Sequence, residues 1–223
     1  MTTALPEADT HAGQAVYSPL TLALYDHVVL GFSNRFLWRC PTSRILALYD
    51  KHAGAAHLDV GVGTGWFLDH CRFPVAEPRI GLLDLNESSI EAAARRIARY
   101  RPTRYRADVL KPIGLDLGRF DSIGLSYLLH CLPGEIATKA AAFDHLLPHL
   151  APGGTMFGAT LLSLGVERSA PARALMAKYN HRGIFSNTRD SAEDLARILG
   201  ERFRSVDLEV VGCAALFAVR DPQ

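Results

Sequence analysis

From residue 56 onward the chain alternates short, almost uninterrupted apolar runs with longer segments of helical spacing, and this rhythm limits the fold more than any other feature. AHLDVG, RIGLLDL, DSIGLSYLL and GGTMFGATLL are short and nearly continuous in apolar character, the pattern of strands covered on both faces in a parallel sheet. TRYRADVL is a more polar strand. Between the strands, TGWFLDHC opens a helix and ESSIEAAARRIARY forms another, with Asn86 or Ser88 near its start. EIATKAAAFDHLLPHL reads as a single helix that runs out at Pro148 and the APGG turn. Strand and helix in alternation predict a doubly wound α/β domain.

The flanks break the rhythm. Residues 1 to about 16 are polar and are expected to be poorly ordered. LTLALYDHVVL and, after Pro41, TSRILALYDKH carry apolar residues at helical spacing, with Thr42 or Ser43 as the expected N-cap of the second. After residue 161 comes LLSLGVERSAPARALMAKYNHRGIFSN, an insertion with one helix, ARALMAKYN; a connection this long is a lid or binding segment. SAEDLARILGERF is a helix capped by Ser191, and SVDLEVVG and CAALFAVR are two last strands joined tightly around Gly212. The expected organisation is therefore a tail with lid helices over 1–50 and a catalytic domain over 51–223, with a cap insertion at about 162–187.

Charge narrows the partners. With 24 Lys and Arg against 23 Asp and Glu the net charge is +1, so no strong field points to nucleic acid or an anionic membrane. The basic run Arg95 to Arg106 reads as a solvated helix face leading into a strand. The four cysteines, Cys40, Cys71, Cys131 and Cys213, form no C-x-x-C pair and are expected to be reduced. The apolar N-terminal stretch is interrupted by Asp26, His27 and Arg35 and should not span a bilayer, and no secretory pattern precedes it. A cytoplasmic protein is expected, with its oligomeric state open.

Function is concentrated in HLDVGVGTGWFLDH. A phosphate-binding loop would need a lysine, and none lies between Lys51 and Lys111. A dinucleotide fingerprint needs G-x-G-x-x-G, but the third glycine, Gly65, comes one place early. Asp59 would also face a pyrophosphate awkwardly. An acid there suits a ligand that brings a cation, as S-adenosylmethionine does with its ammonium and sulfonium groups.

Here the sequence resembles the class I S-adenosylmethionine-dependent methyltransferases of small-molecule type. LDVGVGTG is similar to their first motif, RIGLLDL ends in an acid at the place of their ribose ligand, ADVL resembles their adenine-side motif, and FDSIGLSYLLH is placed like the segment bordering the transfer site. LLPHLAPGGTMFGATLL resembles the family's turn and fifth strand. The resemblance covers residues 44 to about 161. It implies a Rossmann-like seven-stranded sheet, mostly parallel with the last strand antiparallel, preceded by N-terminal helices and carrying the inserted cap. It implies that Asp59, Gly61, Gly63 and Gly65 face the methionine part of the cofactor, that Asp84 and Leu85 address the ribose, that Asp108 and Val109 address adenine, and that Ser126 borders the site. Each acid has a plainer alternative: Asp59 as a turn cap, Asp84 as the first acid of the next helix, Asp108 as a turn residue.

The acceptor side is less determined. His130 is a candidate general base, or a structural histidine, and Tyr127 a candidate acceptor positioner. No carboxylate in SYLLHCLPG or GATLLSL recommends a metal, so a metal-independent reaction is expected. Tyr25, Trp38, Tyr179, Asn180 and Phe185 are candidates to line a small-molecule acceptor pocket, against the alternative of plain packing. The expected function is methyl transfer to an O- or N-acceptor. The alternatives are a cofactor-binding protein that does not methylate, whether pericyclase-like or a scaffold, and an NAD(P)-dependent oxidoreductase.

Overall fold

In the computed structural model, residues 26–223 are described, and the expectations for the polar tail and for Tyr25 lie outside them. The described chain opens with a π-helix, Asp26–Leu37, followed by α1 (Thr42–His52). The strands are β1 (Ala56–Val60), β2 (Arg79–Asp84), β3 (Thr103–Arg106), β4 (Phe120–Ser126), β5 (Leu150–Leu161), β6 (Phe203–Val211) and β7 (Ala214–Pro222). Between them lie α2 (Trp66–His70), α3 (Glu87–Arg96), α4 (Ile136–Lys139), α5 (Ala141–Leu146), α6 (Ala170–His181) and α7 (Ala192–Gly200). All the strands join one sheet in the order β3-β2-β1-β4-β5-β7-β6, with β7 antiparallel to both neighbours and the other pairings parallel. That is the sheet expected from the sequence.

Period-two alternation explains why both faces are covered. Along β7, Ala215, Phe217 and Val219 enter one core with Phe143, Leu195 and Phe203, while Ala214, Leu216 and Ala218 enter the other with Ile45, Tyr49 and Ala93. In β5, Met156 and Phe157 likewise point into opposite cores. The edge strand β3 is mostly exposed and reads TRYR, a charged edge that resists pairing with other chains.

Local signals act as expected at two helices. The Asn86 side chain accepts from Ser88 N (2.9 Å) at the start of α3, and Ser191 Oγ accepts from Asp194 N (3.0 Å) at the start of α7. Two expectations are corrected. No side chain caps α1: the N-cap position is Pro41, and the Thr42 hydroxyl instead donates across to Leu30 O of the π-helix. The helix expected over 135–150 is broken at Ala140, where Lys139 turns into the interior to meet Asp190 (2.6 Å) and Ser186 O (2.6 Å). The lysine is fully buried, and this pair fastens the insertion between β5 and α7 to the body of the domain.

No described helix is long and apolar enough to cross a membrane. The four cysteines are free thiols, three of them buried.

Candidate active site

The sheet order reverses between β1 and β4, and an open α/β sheet binds its ligands beyond the carboxyl ends of its strands at such a point. A cleft lies there. Its walls come from the ends of four strands: Gly61 and Gly63 after β1, Asp84 and Leu85 at β2, Asp108 and Val109 after β3, Ser126 and Tyr127 at β4.

The three glycines of the loop all have positive φ, but for different reasons. A Cβ on Gly61 would strike the Leu128 side chain at 2.9 Å, and one on Gly65 would strike Ala93 Cα of α3 at 2.9 Å. Gly65 thus lets the loop and helix close against each other, and it does not line the cleft. A Cβ on Gly63, by contrast, would meet nothing within 4 Å, because that backbone faces open space at the cleft. The two substitutions should therefore separate. Gly65→Ala is expected to cost about 2–4 kcal/mol of folding stability through left-handed strain and overpacking. Gly63→Ala is expected to cost only about 1–2 kcal/mol but to weaken cofactor binding at least about tenfold. Thermal denaturation and calorimetric titration of the two variants check this.

Among the acids, Asp84 holds the strongest position. Burial pushes its carboxyl up to about 6, against hydrogen bonds from the backbone of Asn86, Leu85 and Val62 that favour the charge. Asn86 N approaches Asp84 Oδ1 at 2.8 Å. Asp108 also lines the cleft while its Oδ1 accepts from Leu110 N (3.0 Å), so it is a turn residue and a cleft residue at once. Asp59 is placed differently from the expectation. It is buried behind the loop, its Oδ1 accepts from Tyr49 Oη (2.8 Å), and it is not among the residues lining the cleft. Its geometry fits an anchor for β1 better than a contact to the cofactor.

On the acceptor side, Tyr127 holds φ +61 and lines the cleft beside Leu128, Cys131, Leu132 and Pro133. His130 is buried and does not line it. Its Nδ1 accepts from Leu161 N (3.3 Å), and burial pulls its pKa down to about 3. A neutral ring with that nitrogen engaged carries its proton on Nε2, which does not fit the expected general base. The ring instead packs edge-on against Phe185 (4.6 Å) and Tyr127 (5.5 Å).

Phe185 is the hub of the candidate pocket residues. It meets Trp38 at 6.3 Å and Tyr179 at 5.0 Å. Trp38 is only 2% exposed, a packing residue, contrary to the expectation that it contacts the acceptor. Asn180 is corrected as well. Its amide nitrogen donates to Met176 O and Asn187 Oδ1, and its oxygen accepts from Asn187 N, so the insertion consumes its hydrogen-bonding capacity. Tyr179 and Phe185 remain half-buried. The apolar wall Leu128, Leu132 and Pro133 escaped sequence reading, although the run YLLHCLPG was its signal. Among the described residues no group of three or more His, Cys, Asp or Glu is arranged to hold a metal ion.

The residues present fit S-adenosylmethionine. A backbone with room around Gly63 faces the cleft, a half-buried carboxyl ends β2, and the buried Ser126 hydroxyl at the end of β4 has no hydrogen-bond partner among the described residues. Residues 58–156 match a family model described as a methyltransferase domain. The chain is 42% identical to demethylluteothin O-methyltransferase of Streptomyces thioluteus, over 92% of this chain and 89% of that protein. It is 36% identical to the physcion biosynthesis cluster O-methyltransferase of Aspergillus chevalieri, over 96% of this chain and 97% of that one. Among solved structures, the N-methyltransferase NodS of Bradyrhizobium japonicum in complex with S-adenosylhomocysteine superposes with a TM-score of 0.60 at 18% identity, covering 92% of this chain and 98% of that chain.

Proposed function

The chain belongs to the S-adenosylmethionine-dependent methyltransferases, and from that premise we propose that it methylates a hydroxyl of a small organic acceptor held against the wall from Tyr127 to Pro133. The observation that carries this reading is the polarity of the cleft, which has a half-buried carboxyl, Asp84, at one side and an apolar wall of Leu128, Leu132 and Pro133 at the other. The preference for oxygen draws on the two relatives named O-methyltransferases, which match nearly the whole chain.

When bound, S-adenosylmethionine supplies a methyl group already activated by its sulfonium centre. The chain's own part is then binding, alignment and exclusion of water. Asp84 would accept hydrogen bonds from the ribose hydroxyls, Asp108 and Val109 would border adenine, and the backbone at Gly61 and Gly63 would border the methionine part. Tyr127 and the apolar wall would orient the acceptor. His130 acts as a positioning residue, holding Phe185 and Tyr127 in place through edge-to-face ring contacts and the β5 backbone through Nδ1.

Two measurements test this. Incubation with S-adenosylmethionine and a panel of phenols, enols and amines should yield products one methyl heavier at oxygen, and methylation confined to amines would overturn the choice of acceptor. Once an acceptor is found, the pH profile of kcat should show no inflection removed by His130→Asn, while KM rises. Loss of a limb near neutral pH in that variant would restore the histidine as base.

A further inference from the structure

A chain of hydrogen bonds leads from the cleft wall to the helix that begins the described structure. The Tyr127 hydroxyl meets Asn34 Oδ1 at 2.9 Å, Asn34 Nδ2 meets Thr42 Oγ1 at 2.9 Å, and the Thr42 hydroxyl donates to Leu30 O. Chemistry gives the chain one direction. A backbone carbonyl only accepts, so Thr42 spends its single proton on Leu30 and must accept from Asn34. The Asn34 amide nitrogen therefore faces Thr42, its oxygen faces Tyr127, and the tyrosine must donate. Asn34 is fully buried and lies in the last turns of the π-helix, a rare backbone form. A buried network satisfied in this way specifies one arrangement, because any reversal leaves a donor or an acceptor unmade.

Tyr127 sits at the other end with unusual geometry. Its φ is +61, its backbone N–H is held by Ala159 O (2.7 Å), and it lines the cleft between Ser126 and Leu128. A non-glycine residue persists in this left-handed region only where its surroundings enforce it.

We propose that Asn34, oriented by Thr42, is a positioning residue for the reaction: it holds the Tyr127 side chain and so ties the π-helix 26–37 to the cofactor cleft. The inference rests on the cofactor reading above. Its consequence is that occupancy of the cleft is felt in the helix, which carries the chain from the cleft towards Trp38 and the Phe185 cluster on the acceptor side. Thr42 is the informative position for a test, since it lies outside the cleft lining and touches the chain only at its far end.

The test is hydrogen exchange on the full chain with and without S-adenosylhomocysteine. In the parent chain and in Thr42→Ser, which keeps the hydroxyl, the compound should slow exchange both at residues 61–65 and, at least about fivefold, across 26–37. In Thr42→Val and in Thr42→Ala the slowing at 61–65 should persist and that across 26–37 should vanish. Equal slowing across 26–37 in the parent and both of these variants would overturn the proposal while leaving the cofactor reading intact. A parent chain that does not bind the compound at all would overturn both. If Thr42→Val does not fold, Thr42→Ala, which removes the hydroxyl and adds no bulk, decides alone.

Discussion

Replacing Asp84 with asparagine is expected to weaken binding of S-adenosylmethionine at least about 100-fold, the loss of about 3 kcal/mol expected when a charged acceptor for two hydroxyl donors becomes a neutral one. The same substitution should raise the thermal stability of the ligand-free chain at pH 7. The sign follows from burial, which lifts the carboxyl from 3.8 to about 6. The folded chain therefore holds its proton more tightly than the unfolded one. The stabilising contribution is fully present below pH 3.8 and is lost as pH rises through about 6, so at neutral pH the ionised group is a liability of about 3 kcal/mol relative to a fully protonated one. Binding shows the opposite trend. If the ionised form is the one that accepts from the ribose, affinity should be about tenfold weaker at pH 5 than at pH 7 in the parent chain and nearly flat in Asp84→Asn. Calorimetry across that range, with melting curves of both ligand-free proteins, measures both effects.

The second large effect is expected at Lys139→Met, a residue that does not line the cleft. Lys139 and Asp190 are essentially inaccessible, and their 2.6 Å contact joins α4 to the end of the insertion. Burial lowers the lysine pKa and raises that of the aspartate, each towards neutrality, and mutual attraction opposes it. Removing the lysine leaves a buried carboxyl whose Oδ1 already lacks a partner. It also deprives Ser186 O of its donor, beside Phe185. A loss of about 3–5 kcal/mol is expected from one broken partner, most of it regained in Lys139→Met/Asp190→Leu, because a well-packed apolar pair replaces a buried ion pair at little cost. Denaturant midpoints of the parent, single and double variants check it. An additive double variant would mean the pair is not coupled.

The sheet was largely legible in the sequence because its signals are local. Continuous apolar runs marked the central strands, and Asn86 and Ser191 announced their helices with the short polar side chains that helix starts require. The glycine loop and Asp84 were legible as a candidate site for the same reason, since a strand end, a turn and an acid lie close together along the chain. What stayed hidden depends on distant partners. Whether Asp59 points into the cleft or back to Tyr49 is decided by α1, and Asn180 is consumed by Asn187 across the insertion. Nothing within EIATKAAAFDHLLPHL marks the break after Lys139, because the partner that draws this side chain inward lies 51 residues away. His130 has a type that suggests a base, yet its burial and its bond from Leu161 N are properties of the packed structure. The division of labour among Gly61, Gly63 and Gly65 also appears only once Leu128 and Ala93 are in place.

We propose that the cleft at the sheet reversal holds S-adenosylmethionine with Asp84 as its polar anchor. The most direct test is calorimetric titration of the purified chain and of Asp84→Asn with S-adenosylmethionine, S-adenosylhomocysteine and NADH. Micromolar binding of the first two to the parent chain, about −8 kcal/mol, is expected, with at least about 100-fold weakening in the variant and no heat from NADH. Undiminished binding to Asp84→Asn, or binding of NADH in place of the sulfonium compound, would contradict it.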